Sequence, residues 1–386
     1  MKAKNDYAMV VGINKYVDEE MDDYDRNADY NNLSVAEDDA SSVARWLMHE
    51  TGGNLPESNV SLLLGSEILK EGYKSPFDMF HDFYDEFERR LIALMTTAVK
   101  SNTANRFYFY YSGHGATRLE NQDEILLVGP GYDFKHDRMS YINLSLYMSW
   151  VKSCDAFDEV FLFLDCCRLK QAASKRQISD PSPLIQKVPV SRDRELTPTK
   201  GTLQYVSYAC MTGHKAFEGK RLGYFTQTML GGLTSRATVS SGGAPPGELK
   251  VWLEKYTPTF SNAHGGINTT QKVEVVNGLK ASSIPLGSEK PDFKLEVTFD
   301  NVTSGQYLLV EGCPFHNEES VRLLRKLDPL QNSIVTDRLP NGLYRIAVLD
   351  SPTETPPFER WHIIDPLPNE YSVHKTQYRP GSKHGL

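Results

Sequence analysis

Cysteine is scarce in this chain of 386 residues: there are five, an odd number, and two of them, Cys166 and Cys167, are neighbours. That excludes a disulfide framework, and because neither Cys154 nor Cys210 completes a Cys-x-x-Cys pair with them, it also argues against a structural zinc site. A basic excess is missing as well. The formal charge of -8, with 42 Lys and Arg against 50 Asp and Glu, gives no electrostatic footprint for nucleic acid. No apolar run approaches the roughly 18 residues of a membrane span, and the opening residues Met1 to Tyr7 lack the apolar core of a secretion signal. Internal repeats and heptad runs are absent. These absences leave the expectation of a cytoplasmic, non-membrane protein of a reducing compartment. A hydrophobic fraction of 40% with 11% aromatics supplies a sizeable core, and the length suits two domains.

What is present is a rhythm of short apolar strands and amphipathic helices. Tyr7–Ile13, Val60–Leu64, Phe107–Tyr111, Val160–Leu164 and Leu203–Ala209 read as strands. Between them, a helix is expected after Ser34, with Ser34 and Glu37 spaced as a capping box, and another around Met79–Val99. The Leu144–Val151 segment and a helix over Phe225–Leu230 continue the alternation. The pattern predicts an α/β fold, a mostly parallel sheet flanked by helices. Leu169–Lys200 interrupts it as a long polar loop with several prolines. From about Pro291 the character changes to alternating strands at Phe293–Phe299, Tyr307–Val310 and Leu343–Leu349, with turn signals at Thr303–Gly305 and Pro340–Gly342. This predicts a small antiparallel β-rich module. The expected domains are 1–240 (catalytic, including the 169–200 loop), 241–290 (a connector or an extension of the catalytic domain) and 291–386 (a β-rich accessory domain).

Two of the strands end abruptly in reactive side chains. Phe107–Tyr111 runs into Ser112-Gly113-His114-Gly115, and Val160–Leu164 runs into Asp165-Cys166-Cys167-Arg168. Binding groups in such sheets collect beyond the carboxyl ends of strands. A cysteine nucleophile needs a nearby base to raise its thiolate fraction, and an imidazole and a thiol at the same sheet edge meet that need. Neighbouring side chains on a strand face opposite ways, so Cys166 and Cys167 cannot both point at His114. The N–H groups of Gly115 and Cys167 are the candidate oxyanion donors. His214 is the competing base. His81 falls on a predicted helix.

These segments resemble the caspase–metacaspase superfamily, especially its prokaryotic caspase-like members, over roughly residues 5 to 235. The separation of 53 residues between His114 and Cys167 matches the spacing of about 50 in that group. The Asp-x-Cys order is closest to metacaspases and assigns the nucleophile to Cys167. Leu169 and Lys170 stand where the family has a glycine after the nucleophile motif. The resemblance implies a cysteine endopeptidase with a Cys167–His114 dyad. It also nominates Asp39, within Leu33-Ser-Val-Ala-Glu-Asp-Asp-Ala40, and Asp165 as the walls of an S1 pocket for a basic residue. Two convergent carboxylates complement a guanidinium or an ammonium group. Ala216-Phe217-Glu218 resembles the strand beside the family's substrate cleft.

By the same resemblance, the 169–200 loop corresponds to the linker where relatives are processed, with Lys175, Arg176, Lys187, Arg192, Arg194 and Lys200 as candidate cleavage positions. No cofactor is expected. Calcium, used by some metacaspases, has one candidate site in the acidic stretch Asp18–Asp23, which lacks EF-hand spacing. The expected partners are a protein or peptide substrate with Arg or Lys at P1 and an upstream activating protease or regulatory protein. Prokaryotic relatives in stress, death and antiphage systems suggest a comparable role. The alternatives are a catalytically silent adaptor acting through the C-terminal module and an aspartate-directed protease.

Overall fold

The computed structural model describes residues 3, 5–16, 32–49, 52–70, 73, 76–101, 105–118, 124–131, 140–154, 156–171, 177–179, 202–219, 222–233, 243–265, 270–279, 294–299, 304–314, 321–328, 333–335, 342–351, 361–364 and 373–378. Two compact units emerge. One comprises Met1–Met48, Asn54–Thr226 and Gln271–Ser282, the other His49–Gly53, Gln227–Thr270 and Ser283–Leu386.

In chain order the elements through residue 277 are β1 (Asp6–Gly12), α1 (Ala36–Met48), β2 (Val60–Leu64), α2 (Gly65–Ile68), α3 (Pro76–Ser101), β3 (Arg106–Ser112), β4 (Gly115–Arg118), β5 (Leu126–Val128), β6 (Ser140–Asn143), α4 (Leu144–Ser153), β7 (Glu159–Asp165), β8 (Leu169–Gln171), β9 (Gln177–Ser179), β10 (Leu203–Tyr208), α5 (Tyr224–Gly231), α6 (Pro246–Gly265) and β11 (Glu274–Asn277). The main sheet has the order β11-β10-β7-β3-β1-β2. All its pairings are parallel except the edge pair β10–β11. The sheet is therefore mostly parallel, as the alternation of strands and helices predicts.

Every residue of β1 and β3 is buried, which explains why these strands read as unbroken apolar or aromatic runs rather than alternating ones. Met9, Val11, Phe107, Phe109, Leu162 and Leu164 share one core cluster with Phe83, Phe87 and Leu91 of α3 and Tyr147 and Val151 of α4. Burying each such side chain is worth about 1.5–3 kcal/mol. Helix α1 also packs on β1, β2 and β3.

Three expectations need correction. Ser34 and Glu37 do not form a capping box. The Glu37 carboxylate instead takes N–H groups from Asn14 at 3.3 Å and Ser66 at 3.0 Å, and Ser34 bonds Glu218. The 169–200 stretch is not structureless throughout, because β8 pairs with β4 and β9 with β6 in a second, five-stranded sheet. These strands are only three residues long, too short for periodicity to reveal them.

The C-terminal module contains β12 (Lys294–Phe299), β13 (Tyr307–Pro314), β14 (Val321–Lys326), β15 (Ser333–Val335), β16 (Gly342–Leu349), β17 (Trp361–Ile364) and β18 (Val373–Tyr378). They form sheets ordered β15-β12-β18 and β14-β13-β16-β17. The module is β-rich as expected but not wholly antiparallel. β18 lies parallel to β12, which the long intervening chain permits.

Candidate active site

The site is built where β3 and β7 end side by side. Ser112 stands opposite Asp165 in the main sheet, and beyond the ends Ala116 of β4 stands opposite Leu169 of β8. The register is the same before and after the break. His114 and Cys167 therefore occupy matching positions in the gap between the two sheets. The fit there is tight. A Cβ added to Gly115 would lie 2.5 Å from the Cys166 sulfur and 2.6 Å from the Cys167 carbonyl oxygen, so any side chain at residue 115 would force the two loops apart.

His114 is buried, and its backbone is held at both ends. Its N–H donates to the Tyr16 hydroxyl at 2.7 Å, and the Tyr111 hydroxyl donates to its carbonyl at 2.8 Å. The Tyr16 ring lies against the imidazole with centroids 4.5 Å apart. Cys167 is half-buried, and the Ala216 N–H points at its sulfur from 3.3 Å. Such a donor stabilises a thiolate. Cys166, in contrast, is buried, and burial pushes its thiol well above the usual range, which suits an inert packing role. Burial likewise lifts the Cys210 thiol to about 12.

Asp39 and Asp165, far apart in sequence, meet at Gly223. A Cβ there would lie 2.5 Å from an Asp165 carboxylate oxygen and 3.0 Å from one of Asp39. Asp39 accepts the Gly223 N–H at 2.8 Å and the Ser112 hydroxyl at 2.9 Å. Asp165 accepts the N–H and hydroxyl of Thr226 at 3.2 and 2.6 Å. Among the described residues, neither acid is bonded to a lysine or arginine. Both carboxyls are held above the usual carboxylate range. For Asp39 the cause is burial first and then the charge of Asp165; for Asp165 it is burial first, with a lesser contribution from Glu218. The pair is a buried cluster of acids, and no cation among the described residues is bonded to it.

Glu218 borders it. Its carboxylate takes the N–H groups of Ser34 and Val35, each at 3.1 Å, so it supplies the N-terminal anchor for α1 that the sequence assigns to Ser34 and Glu37. Sequence reasoning missed Tyr16, Ser112 and Thr226 as parts of the site. They lack a local signature, although Tyr16 closes the Gly12-Ile13-Asn14 strand end.

His214 is exposed, and its ring nitrogen Nδ1 lies 3.2 Å from the Thr212 carbonyl. His81 is on α3 beside Asp85 at 3.3 Å. Lys175, Arg176, Lys187, Arg192, Arg194 and Lys200 lie outside the described residues, as does Asp18–Asp23. Among the described residues, no group of three or more His, Cys, Asp or Glu could hold a metal ion, and no helix is long and apolar enough to cross a membrane.

A family profile described as the caspase domain matches residues 5–242. A relative described as a probable protease, from a Desulfuromonadales bacterium, is 29% identical over 259 residues, covering 64% of this chain and 27% of that protein. The chain thus spans little more than a quarter of that relative's length. Among solved structures, a Geobacter sulfurreducens protein aligns with a TM-score of 0.38 at 14% identity, over 71% of this chain and 93% of that one. Caspase-1 from Spodoptera frugiperda aligns with a TM-score of 0.42 at 8% identity, over 72% and 90%.

Proposed function

The chain belongs to the caspase-domain family, and on that premise we propose that it is a cysteine endopeptidase cleaving after arginine or lysine. The observation that supports the reading is the register, which is the same before and after the two short spans that carry His114 and Cys167. His114 takes the thiol proton, and the Cys167 sulfur attacks the scissile carbonyl carbon. The N–H groups of Gly115 and Cys167 stabilise the oxyanion. The C–N bond then breaks, and the imidazolium gives its proton to the leaving amine. Water, deprotonated by the same imidazole, attacks the thioester. The S–C bond breaks, the carboxylic product leaves, and the thiol is restored.

Asp39 and Asp165 bind the P1 guanidinium or ammonium, with Glu218 adding negative charge at the rim. The paired acids disfavour an aspartate at P1, because a third carboxylate there would be repelled. The division into a catalytic domain at 1–240, a connector at 241–290 and an accessory domain at 291–386 belongs to the same proposal. So does maturation by cleavage within 169–200, by the enzyme itself or by another protease. A Cys167→Ala protein that fragments as wild type does, when isolated alone, removes self-processing.

The test is a positional peptide library digested by wild-type and Cys167→Ala protein, with and without calcium. Cysteine-dependent cleavage after Arg or Lys is expected. Cleavage after Asp overturns the specificity. No cleavage by intact or nicked protein favours the silent adaptor.

A further inference from the structure

The loops around Cys167 are tied to a stretch that the chain reaches only after residues 227–270, which belong to the other unit. Gln271 is 1% exposed, and its side-chain oxygen accepts the N–H of Phe217 at 3.0 Å. Phe217 directly follows Ala216, whose own N–H lies 3.3 Å from the Cys167 sulfur. Three residues further on, the Glu274 carboxylate bonds the guanidinium of Arg168 at 2.5 Å. Arg168 directly follows Cys167, and its guanidinium lies 3.9 Å over the Tyr208 ring. Between these two anchors, the Lys272 carbonyl accepts the Met211 N–H at 2.9 Å.

The turn that begins at Met211 closes on the same arginine. Arg168 N–H donates to the His214 carbonyl at 3.2 Å, and Gly213 N–H donates to the Arg168 carbonyl at 2.8 Å. β11 itself is locked to β10, with Glu274 opposite Tyr208. Within four consecutive positions, Gln271, Lys272 and Glu274 therefore grip both the segment that carries the sulfur and the segment that faces it.

We propose that Gln271 and Glu274 are positioning residues for Cys167, so that catalysis depends on a segment beyond residue 242, where the family match ends. This rests on the reading of Cys167 as the nucleophile. Gln271 fixes the peptide after Ala216 and with it the N–H aimed at the sulfur. Glu274 fixes Arg168 and with it the backbone of the nucleophile. Gln271 carries the larger effect because it is buried. The Glu274 side chain is 40% exposed, so its ion pair is partly screened.

The experiment compares wild type, Gln271→Met, Gln271→Glu and Glu274→Gln, with Cys167→Ala as the blank. It reads the pH profile of Cys167 alkylation by iodoacetamide, located by mass spectrometry, together with kcat and KM on an arginine-P1 peptide. Cys154, Cys166 and Cys210 are buried and give little background. Gln271→Met should move the alkylation midpoint to higher pH and lower kcat about ten-fold, with little change in KM or melting temperature. Gln271→Glu keeps an acceptor oxygen and should recover most of that loss. Glu274→Gln should lower kcat about three-fold.

If wild type cleaves through Cys167 while the Gln271→Met and Glu274→Gln proteins match it in kcat and alkylation profile, the positioning role is overturned and the protease reading stands. If wild type cleaves nothing, the protease reading fails and the alkylation profiles still decide. Unshifted profiles overturn the positioning role, and an upward shift for Gln271→Met that Gln271→Glu reverses upholds it.

Discussion

At the N-terminal ends of β1, β3 and β7, Asp6, Arg106 and Glu159 stand opposite one another in adjacent strands. Arg106 bonds Glu159 at 2.8 Å and lies over the Phe161 ring. At the other end of the same sheet, Asp39 and Asp165 crowd together around Gly223 and, among the described residues, have hydroxyl and amide partners. Asp6, Asp39 and Asp165 are buried, and Glu159 is half-buried. One end has its arginine built in; at the other, no lysine or arginine among the described residues bonds either acid. Burial alone does not separate the two, since it also lifts Asp6 to about 6 even with Arg106 opposing the shift. The difference lies in the counter-ion. An acid pair that has its own cation ties strands together, and on the proposed function the other pair takes its cation from the substrate.

The strongest way to break this comparison is to remove the resident cation. Arg106→Met should cost about 3–5 kcal/mol of stability, because it strands buried acids. Urea denaturation at pH 7.5 reads the loss, and the protein that stays folded should keep its activity. A variant as stable as wild type would mean that the N-terminal cluster is not a working ion pair.

Asp165→Asn should do the opposite. It should lower kcat/KM for an arginine-P1 peptide by about 100-fold, near 2.7 kcal/mol, while raising the melting temperature at pH 7.5 by about 2–4 °C. The sign follows from the direction of the shift. Because the folded-state pKa is raised, the folded protein holds protons that the unfolded chain releases. Its stability therefore falls as pH rises from the usual carboxylate range through the raised value near 6. The melting gain should accordingly vanish at pH 4. A variant that melts lower than wild type at pH 7.5 would show that the two acids stabilise the empty protein.

The same titration sharpens the comparison in wild type. Below the raised pKa the acid pair is protonated and neutral, so KM for an arginine-P1 peptide should fall several-fold as pH rises from about 5 to 7. A KM that does not vary with pH would place P1 recognition elsewhere. The smallest expected effect is that of Tyr16→Phe, which removes the oxygen that receives the His114 N–H. A loss of about 1 kcal/mol, roughly five-fold in kcat with KM unchanged, is expected. Steady-state kinetics checks it, and a shift in KM alone would move Tyr16 from the imidazole to the substrate.

How much of this was legible in the sequence depends on whether the signal is local. The strand runs into His114 and Cys167 could be read because each is a contiguous apolar segment that ends in a reactive group. The mostly parallel sheet followed from the same runs. Glu37 misled because its spacing from Ser34 satisfies a local rule, while its carboxylate bonds Asn14 and Ser66 instead. Gln271 and Glu274 were invisible for the converse reason. They act on Phe217 and Arg168, 54 and 106 positions away, and nothing in their own surroundings marks them. The edge strand β11 escaped notice because it is four residues long and lies in what reads as a connector.

The unchanged register across the gap between the two sheets also governs where the chain can vary in length. Between Arg118 and Glu159 the chain carries β5, β6 and α4, and residues added between those elements should leave both reactive groups where they are. From Ser112 to Ala116, and from Asp165 to Leu169, the count is locked at both ends by paired strands. A single residue added to either short span would turn the following strand over, carrying its inward side chains to the outside. Insertion tolerance should therefore be lost from Arg106 to Arg118 and from Glu159 to Gln171, where strands and short spans are counted together, and return only outside them.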